Sequence, residues 1–158
     1  MSKEPLKLPP CPLLVSACLL GEPCRYDGGH CKHEGVSAFI AGRVVVPVCP
    51  EVLGGLTVPR PPAEIVGGDG QDVLAGRARV VDRDGKDVTA WFVKGAQAAL
   101  ALARKHGIKA AILKERSPSC GPRQVYDGTF TRRRVDGRGV TAALLVANGI
   151  MVLSEEDV

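Results

Sequence analysis

Aromatic side chains are scarce in this sequence. Phe, Trp and Tyr together make up 4% of its 158 residues, so a hydrophobic core has to be built mainly from Val, Leu, Ala and Ile. Long apolar runs are also missing, and none approaches the ~20 residues of a membrane-spanning helix. The first ten residues are polar and contain proline, which is not the pattern of a signal peptide. We therefore expect a cytoplasmic protein with no membrane partner.

Several common functional motifs are absent as well. The sequence has no GxxxxGK[ST] phosphate loop and no GxGxxG fingerprint, which argues against the use of ATP or NAD. It also lacks the CxxC pairs that are typical of thiol redox enzymes and zinc ribbons. The net charge of +4 and the isoelectric point of about 8.8 suit a small anionic ligand. They fall short of the strongly basic composition of nucleic-acid-binding proteins, so no nucleic-acid partner is expected.

Cysteine, in contrast, is plentiful. The chain has six cysteines, five of them in its first third, at positions 11, 18, 24, 31, 49 and 120. Cytosolic thiols stay reduced, so grouped cysteines in such a protein indicate metal binding or catalysis rather than a disulfide framework.

The predicted elements alternate between strands and helices. Apolar strands are indicated at 12–17, 44–48, 109–113 and 150–153. Helices are indicated near 36–40, at 88–105, where Asp87 can cap the first turn, and at 141–148. Alternation of this kind indicates a parallel sheet. The sequence thus predicts a small single-domain α/β fold, Rossmann-like and three-layered, with a short and mainly parallel sheet.

Glycine- and proline-rich stretches separate these elements. Residues 50–70 predict a long irregular loop that prolines stiffen, and residues 77–87 predict a small hairpin with an Asp-Gly turn. Residues 124–138 are rich in turn formers and arginine. We expect one domain over 11–158, with hairpins inserted, and a flexible N-terminal arm at 1–10.

Three cysteines follow predicted strands. Cys18 comes after the first strand, Cys49 after the second, and Cys120 in the loop after the third. Ligands of open parallel sheets bind beyond the carboxyl ends of the strands, so these thiols should meet at one edge. They could hold an iron–sulfur cluster or a zinc ion, or they could be separate buried thiols. Three ligands instead of four would leave a metal position open to a substrate, and iron would suit a soft sulfur atom.

Two polar residues accompany these cysteines. Glu51 stands two residues beyond Cys49, where it could activate a water molecule, although a solvated loop carboxylate or a salt-bridge partner would look the same. Ser117 stands three residues before Cys120 and could equally be a turn hydroxyl. The spacing alone leaves both assignments open.

Long ordered motifs in the chain resemble the thiouracil desulfidase family. The resemblance extends from about Leu13 to Glu155, nearly the whole chain. Its motifs are VSACLLG (15–21), CRYDG (24–28), VCPEVLGGL (48–56), PRPPAEI (59–65), LKERSPSCG (113–121), YDGTF (126–130) and GVTAALL (139–145).

The resemblance implies a [4Fe-4S] cluster held by only three cysteines, which by motif are Cys18, Cys49 and Cys120. The remaining iron would bind the sulfur of a thiolated uracil. By the same resemblance, Glu51 and Ser117 would assist the water that attacks the carbon losing sulfur. The expected activity is a hydrolytic desulfuration without net redox change, acting on a small thiopyrimidine base or nucleotide.

Three further residues belong to the candidate site. Cys24 lies in a family-like motif, so it could line the site or be a fourth ligand, which would remove the open iron. Arg60 and Ser119 are the expected substrate contacts. Arginine binds phosphate well, and if Arg60 does so here, Arg60→Ala should raise KM for a thiouridine monophosphate far more than for free thiouracil. The arginine run at 132–134 is also a candidate for a phosphate contact, but a solvated hairpin tip is the preferred interpretation there.

The main alternative is a protein of another class. The cysteines could form a structural zinc or iron–sulfur site in an RNA-binding module without catalysis. The scarcity of aromatic residues argues against this, because single-stranded nucleic acids are usually bound by stacking on aromatic side chains.

Overall fold

Four parallel strands form the central sheet of the protein. The computed structural model describes Leu8 and residues 11–158. The strands are β1 (Leu13–Ser16), β2 (Val45–Val48), β3 (Ala63–Val66), β4 (Arg79–Asp82), β5 (Ala110–Leu113), β6 (Gln124–Tyr126), β7 (Arg134–Asp136) and β8 (Met151–Ser154). The helices are α1 (Glu34–Ile40), α2 (Pro50–Leu53), α3 (Gly70–Leu74), α4 (Thr89–Lys105) and α5 (Val140–Ala147), with short 3-10 turns at Ala17–Leu20 and Glu155–Asp157.

The strand order of the central sheet is β2-β1-β5-β8, and every pairing in it is parallel. Ser16 lies beside Val48, and Leu113 lies beside Ser154, so these four strands end at the same edge. The predicted α/β fold with a short parallel sheet is confirmed. Connections that follow β1, β2 and β5 therefore all start from one edge of the sheet.

Helices cover both faces of this sheet. Alternate residues of a strand point to opposite faces, so Leu14 and Leu113 pack against α4 and α5, whereas Leu13 and Ile112 pack on the side of α1. The first core contains Ala99, Leu100, Ala103, Ala142 and Leu145 besides the strand residues. The second face is covered by Leu19, Val36, Phe39 and Ile40. This gives the predicted three layers, and truncating a buried leucine to alanine in such a core costs about 2–5 kcal/mol.

The long helix α4 joins the central sheet to the two-stranded sheet of β3 and β4. Its N-terminal half places Phe92 and Ala96 in a second core with Ile65 and Val80, while its C-terminal half packs on the central sheet. The N-cap residue of α4 is Val88 and not, as expected, Asp87, which lies one residue earlier and accepts the Thr89 N–H at 2.9 Å. The two cores are thus continuous along one helix.

Two glycines bring α2 against α4. A Cβ on Gly54 would lie 2.0 Å from the carbonyl oxygen of Trp91, and a Cβ on Gly95 would lie 2.0 Å from that of Pro50. Any side chain at either position would collide with backbone. This close approach places Glu51, in the first turn of α2, beside the carboxyl edge of the sheet.

One expectation for the middle of the chain is wrong. Residues 50–70 are not an irregular loop, because they contain α2, β3 and the start of α3. The expected reversal at Asp84-Gly85 is present: an antiparallel bridge joins Val81 to Asp87, and the Asp82 N–H donates to the Lys86 carbonyl oxygen at 2.9 Å. The strand ladder of β4, however, is formed with β3. The cause is burial, since pairing with β3 puts Ile65 and Val80 into the second core.

The remaining inserted strands, β6 and β7, form an antiparallel hairpin within the arginine-rich stretch. The predicted flexible arm at 1–10 lies, apart from Leu8, outside the described residues. No helix in the part of the chain that the structure describes is long and apolar enough to cross a membrane.

Candidate functional site

A cavity of about 320 Å³ opens at the carboxyl edge of the parallel sheet. Residues that follow β1, β2 and β5 line it on one side, and residues from the β3–β4 layer line it on the other. The site residues expected from the sequence that line it are Cys18, Cys24, Cys49, Glu51, Arg60, Ser117 and Cys120. The convergence inferred from the strand pattern is therefore present in the fold.

Three of the thiols form a chain of contacts. The Cys24 thiol is within hydrogen-bonding reach of the Cys18 thiol and of the Cys49 thiol. Cys49 Sγ also lies 3.8 Å from the Cys24 carbonyl oxygen. Cys120 is buried beside the side chains of Ser16 and Ser119.

This arrangement disfavours free thiolates. The hydrogen bond with Cys18 raises the pKa of Cys24 to about 11. The contact with Cys24 and burial raise the pKa of Cys49 well above its ordinary value, and burial raises the pKa of Cys120 to about 12. A positively charged metal centre would hold such crowded, desolvated sulfurs in the thiolate form. The donor set therefore fits an iron–sulfur cluster.

A single metal ion fits less well. A zinc ion needs four donor atoms that each lie about 2.0–2.3 Å from the metal. Among the described residues, no three Cys, His, Asp or Glu side chains converge on such a point. The thiols surround a cavity instead, as a larger multi-atom group would require.

Local backbone structure positions the cysteines. Cys18 lies in the 3-10 turn after β1, which ends at Gly21 with a φ of 95°. Cys49 is the N-cap residue of α2, and Pro50 occupies the first helical position. The turn that carries Cys120 is organised by Ser117, whose Oγ accepts the Cys120 N–H at 3.0 Å and the Ser119 N–H at 3.2 Å.

Glu51 and Arg60 form an ion pair in the cavity wall. Arg60 Nη2 donates to the Glu51 carboxylate and, at 3.0 Å, to the Cys24 carbonyl oxygen, while Nη1 donates to the Thr57 carbonyl oxygen at 3.0 Å. The Arg60 side chain is only 6% exposed. Both terminal nitrogens of the guanidinium are thus engaged within the protein, which weakens the interpretation that Arg60 binds a phosphate.

Ser119 is not brought to the cavity. It is buried, and its hydroxyl makes a 2.8 Å hydrogen bond with the Thr141 hydroxyl, which ties the Cys120 turn to α5. Cys11 and Cys31 do not line the cavity either. The expected substrate contact of Ser119 stays a prediction that nothing in this geometry supports.

Sequence reasoning left several cavity residues without a role. These are Arg25, Glu64, Arg83 and Phe130. Arg132, expected at a solvated hairpin tip, is exposed between β6 and β7 and also lines the cavity. Phe130 belongs to a family-like motif, which was a signal available in the sequence. Arg83 lies outside every such motif, and only the pairing of β3 with β4 brings it to the site.

One cavity at the sheet edge of this α/β domain is lined by four thiols, a carboxylate and a serine hydroxyl. These side chains are the donor set of a metal-dependent enzyme. Comparison with known proteins makes this specific: the family model described as 2-thiouracil desulfurase matches residues 13–157. The chain belongs to the 2-thiouracil desulfurase family. The family resemblance carried by the sequence motifs is thereby confirmed.

Two relatives illustrate the extent of the similarity. The uncharacterized protein YbbK of Bacillus subtilis (strain 168) is 48% identical over 145 residues, which are 92% of this chain and 96% of that protein. Among solved structures, the [4Fe-4S]-dependent thiouracil desulfidase TudS matches with a TM-score of 0.80 and 44% sequence identity. That match covers 92% of this chain and 91% of the TudS chain.

Proposed function

We propose that this protein is a [4Fe-4S]-dependent desulfidase that removes sulfur hydrolytically from thiouracil or a thiouridine nucleotide. The observation that carries the proposal is that Cys18, Cys49 and Cys120 line the same cavity as Glu51 and Ser117. The similarity to TudS supports both the cofactor and the substrate class. Free thiols and a thiolate-held cluster need a reducing compartment, so we place the protein in the cytoplasm.

Cys18, Cys49 and Cys120 would hold the cluster. When bound, it supplies an iron without a protein ligand, a Lewis acid suited to the soft thiocarbonyl sulfur. Cys24 is assigned no ligand role, because a fourth thiolate would occupy that open position. Its place between Cys18 and Cys49 makes it part of the wall instead.

Glu51 is the proposed general base. Its carboxylate would take a proton from the attacking water as the oxygen bonds to the thiolated carbon, and the carbon–sulfur bond then breaks. Water and the thiocarbonyl become a carbonyl and sulfide, so no electrons are gained or lost. The ion pair with Arg60 holds the carboxylate in one orientation in the cavity wall.

Ser117 is the proposed hydrogen-bond donor to the reacting oxygen. A serine hydroxyl has one donor and two acceptor positions. The Cys120 and Ser119 N–H groups occupy the acceptor positions of Ser117 Oγ. The hydroxyl proton is left to donate into the cavity, so Ser117 orients the attacking water or stabilises the developing oxyanion, and does not act as a base.

Two arginines support a nucleotide as substrate. Arg83 and Arg132 are exposed, line the cavity and have no carboxylate partner among the described residues. Arg60, in contrast, is buried against Glu51. A substrate phosphate would therefore contact Arg83 and Arg132, and the double variant Arg83→Ala/Arg132→Ala should raise KM for a thiouridine monophosphate but not for thiouracil.

Anaerobic purification tests the proposal directly. Iron and acid-labile sulfide are measured on the protein after cluster reconstitution, followed by sulfide release from thiouracil and from a thiouridine monophosphate. We expect about four irons and four sulfides per chain, as a [4Fe-4S] cluster requires, and stoichiometric sulfide release. A fully loaded protein that releases no sulfide from any thiopyrimidine would overturn the proposed activity.

A further inference from the structure

Aromatic residues are concentrated around the cavity. Four of the chain's six aromatic side chains line it, namely Tyr26, Phe92, Tyr126 and Phe130. Phe92 is 2% exposed and belongs to the second core. One face of Tyr26 is covered by the Arg25 guanidinium, 5.5 Å from the ring centroid, and Tyr126 is fixed within β6. Tyr26 and Phe130 are the two members of this set that lie outside helices and strands. Of these two, Phe130 has no cation over its ring in the part of the chain that the structure describes.

Phe130 adopts a backbone conformation that is unfavourable for a bulky side chain. Its φ is 58°, in the left-handed region. The half-buried ring belongs to none of the three apolar clusters found among the described residues. Strained residues persist where the surrounding structure imposes them, and they concentrate at ligand-binding sites.

A buried carboxylate imposes this conformation. Glu64 Oε1 accepts the Gly128 N–H at 2.9 Å and the Phe130 N–H at 3.2 Å, and Glu64 itself is 9% exposed. It reaches the loop from β3, which is anchored in the second core through Ile65. The Phe130 loop is thereby fixed relative to the cavity.

We propose that Phe130 is the platform on which the pyrimidine ring of the substrate stacks, and that Glu64 is the residue that positions it. The inference rests on the proposed function for the identity of the ring. Every pyrimidine has a π-face that an aromatic side chain can cover, and Phe130 lines the cavity in which the substrate would bind.

Binding of uracil tests the proposal without any reaction, because uracil carries no sulfur to remove. Dihydrouracil offers the same N–H and carbonyl groups but is not a planar aromatic ring. Calorimetry on the reconstituted protein should show tighter binding of uracil than of dihydrouracil. Phe130→Leu should weaken uracil binding by about 5- to 150-fold, as loss of one stacked ring does, and should abolish the preference. Phe39→Leu, on α1 away from the cavity, is the matched control.

The stability of a glycine variant separates a ligand contact from a structural role. Glycine adopts a positive φ freely, so Phe130→Gly should melt at a temperature no lower than Phe130→Leu, while losing the preference for uracil. A lower melting temperature together with a retained preference would overturn the proposal. For Glu64, the conservative variant Glu64→Gln keeps an oxygen acceptor and should retain the preference, whereas Glu64→Ala should lose it.

The outcomes distinguish this inference from the proposed function. If sulfide release succeeds but Phe130→Leu keeps both the uracil preference and the KM for thiouracil, the stacking proposal fails alone. If no thiopyrimidine releases sulfide but Phe130→Leu loses uracil binding, the proposed activity fails alone. Absence of uracil binding to the unmodified protein also overturns the stacking proposal.

Discussion

The guanidinium of Arg60 and the carboxylate of Glu51 are paired in the wall of the cavity. The same guanidinium donates to the carbonyl oxygen of Cys24, so it joins α2 to the loop that follows the Cys18 turn. Arg60 is therefore part of the framework that orients Glu51. Its removal should disturb the reaction of every substrate, whatever the substrate's size.

Arg60→Ala should lower kcat by about 10- to 100-fold, because small displacements of a catalytic group have effects of that size. The loss should be similar for thiouracil and for a thiouridine monophosphate. Steady-state kinetics with both substrates measure it. A rise in KM confined to the nucleotide would instead support the phosphate contact suggested by the sequence.

A matched control for Arg60 exists on the surface. Arg77 pairs with Asp72 at 3.0 Å, but its side chain is 63% exposed and does not line the cavity. Exposed pairs contribute about 0–1 kcal/mol to stability. Arg77→Ala should therefore leave kcat and KM unchanged for both substrates.

Glu51→Gln should abolish most activity while leaving the cofactor in place. The amide keeps the size of the side chain but cannot take a proton from water, and loss of general-base catalysis costs about 10²- to 10⁴-fold in rate. Sulfide release and iron content are measured on the same preparation. Loss of iron in this variant would show that Glu51 maintains the cluster site rather than the chemistry. Glu34→Gln, on the exposed first turn of α1, is the control.

Serine substitutions should divide the cysteines into two groups. Cys18→Ser, Cys49→Ser and Cys120→Ser should each lose most of the bound iron, because a hydroxyl is a poor substitute for a thiolate ligand. Cys24→Ser should keep both the iron and the sulfide release.

Iron analysis and the absorption spectrum of anaerobic preparations measure this division. Cys31→Ser is the control, since Cys31 does not line the cavity. Iron loss in Cys24→Ser comparable to that in Cys49→Ser would make Cys24 a fourth ligand and remove the open iron from the mechanism.

The start of α4 should carry a pH-dependent contribution to stability. Hydrogen bonds from the Thr89 hydroxyl and backbone N–H lower the pKa of Asp87. A group whose pKa is lowered by folding stabilises the native state above its unfolded pKa of about 3.9, and this stabilisation is lost as the pH falls through the folded pKa. Asp87→Ala should cost about 0.5 kcal/mol at neutral pH, because an exposed carboxylate just before a helix N-terminus stabilises it by an amount of that order.

The difference in unfolding free energy between the parent protein and Asp87→Ala should shrink below about pH 4. Comparing the two proteins under identical conditions removes any effect of acid on the cofactor that they share. Asp84→Ala, on the exposed turn just before, should change stability little at any pH. A difference that does not vary with pH would contradict the role of the ionised Asp87.

The sequence by itself determined the central sheet and the meeting of the thiols. Short apolar runs before Cys18 and Cys49 required buried parallel strands, and the carboxyl ends of parallel strands share one edge. The sequence also identified Glu51 and Ser117 as candidate site residues, because each lies within three residues of a cysteine at that edge. All of these residues line one cavity, and their catalytic and ligand roles stay predictions.

Only the tertiary structure decided the opposite wall of the cavity. Three contacts build this wall, and each joins residues that are not neighbours in the sequence. They are the pairing of β3 with β4, the ion pair of Arg60 with Glu51, and the hydrogen bond by which Glu64 positions Phe130. The short helix α2 depends on the close approach of Gly54 and Gly95 to backbone of the facing helix. Local propensity contains no information on such contacts, because their free energy comes from burial and hydrogen bonding that exist only once the chain has folded.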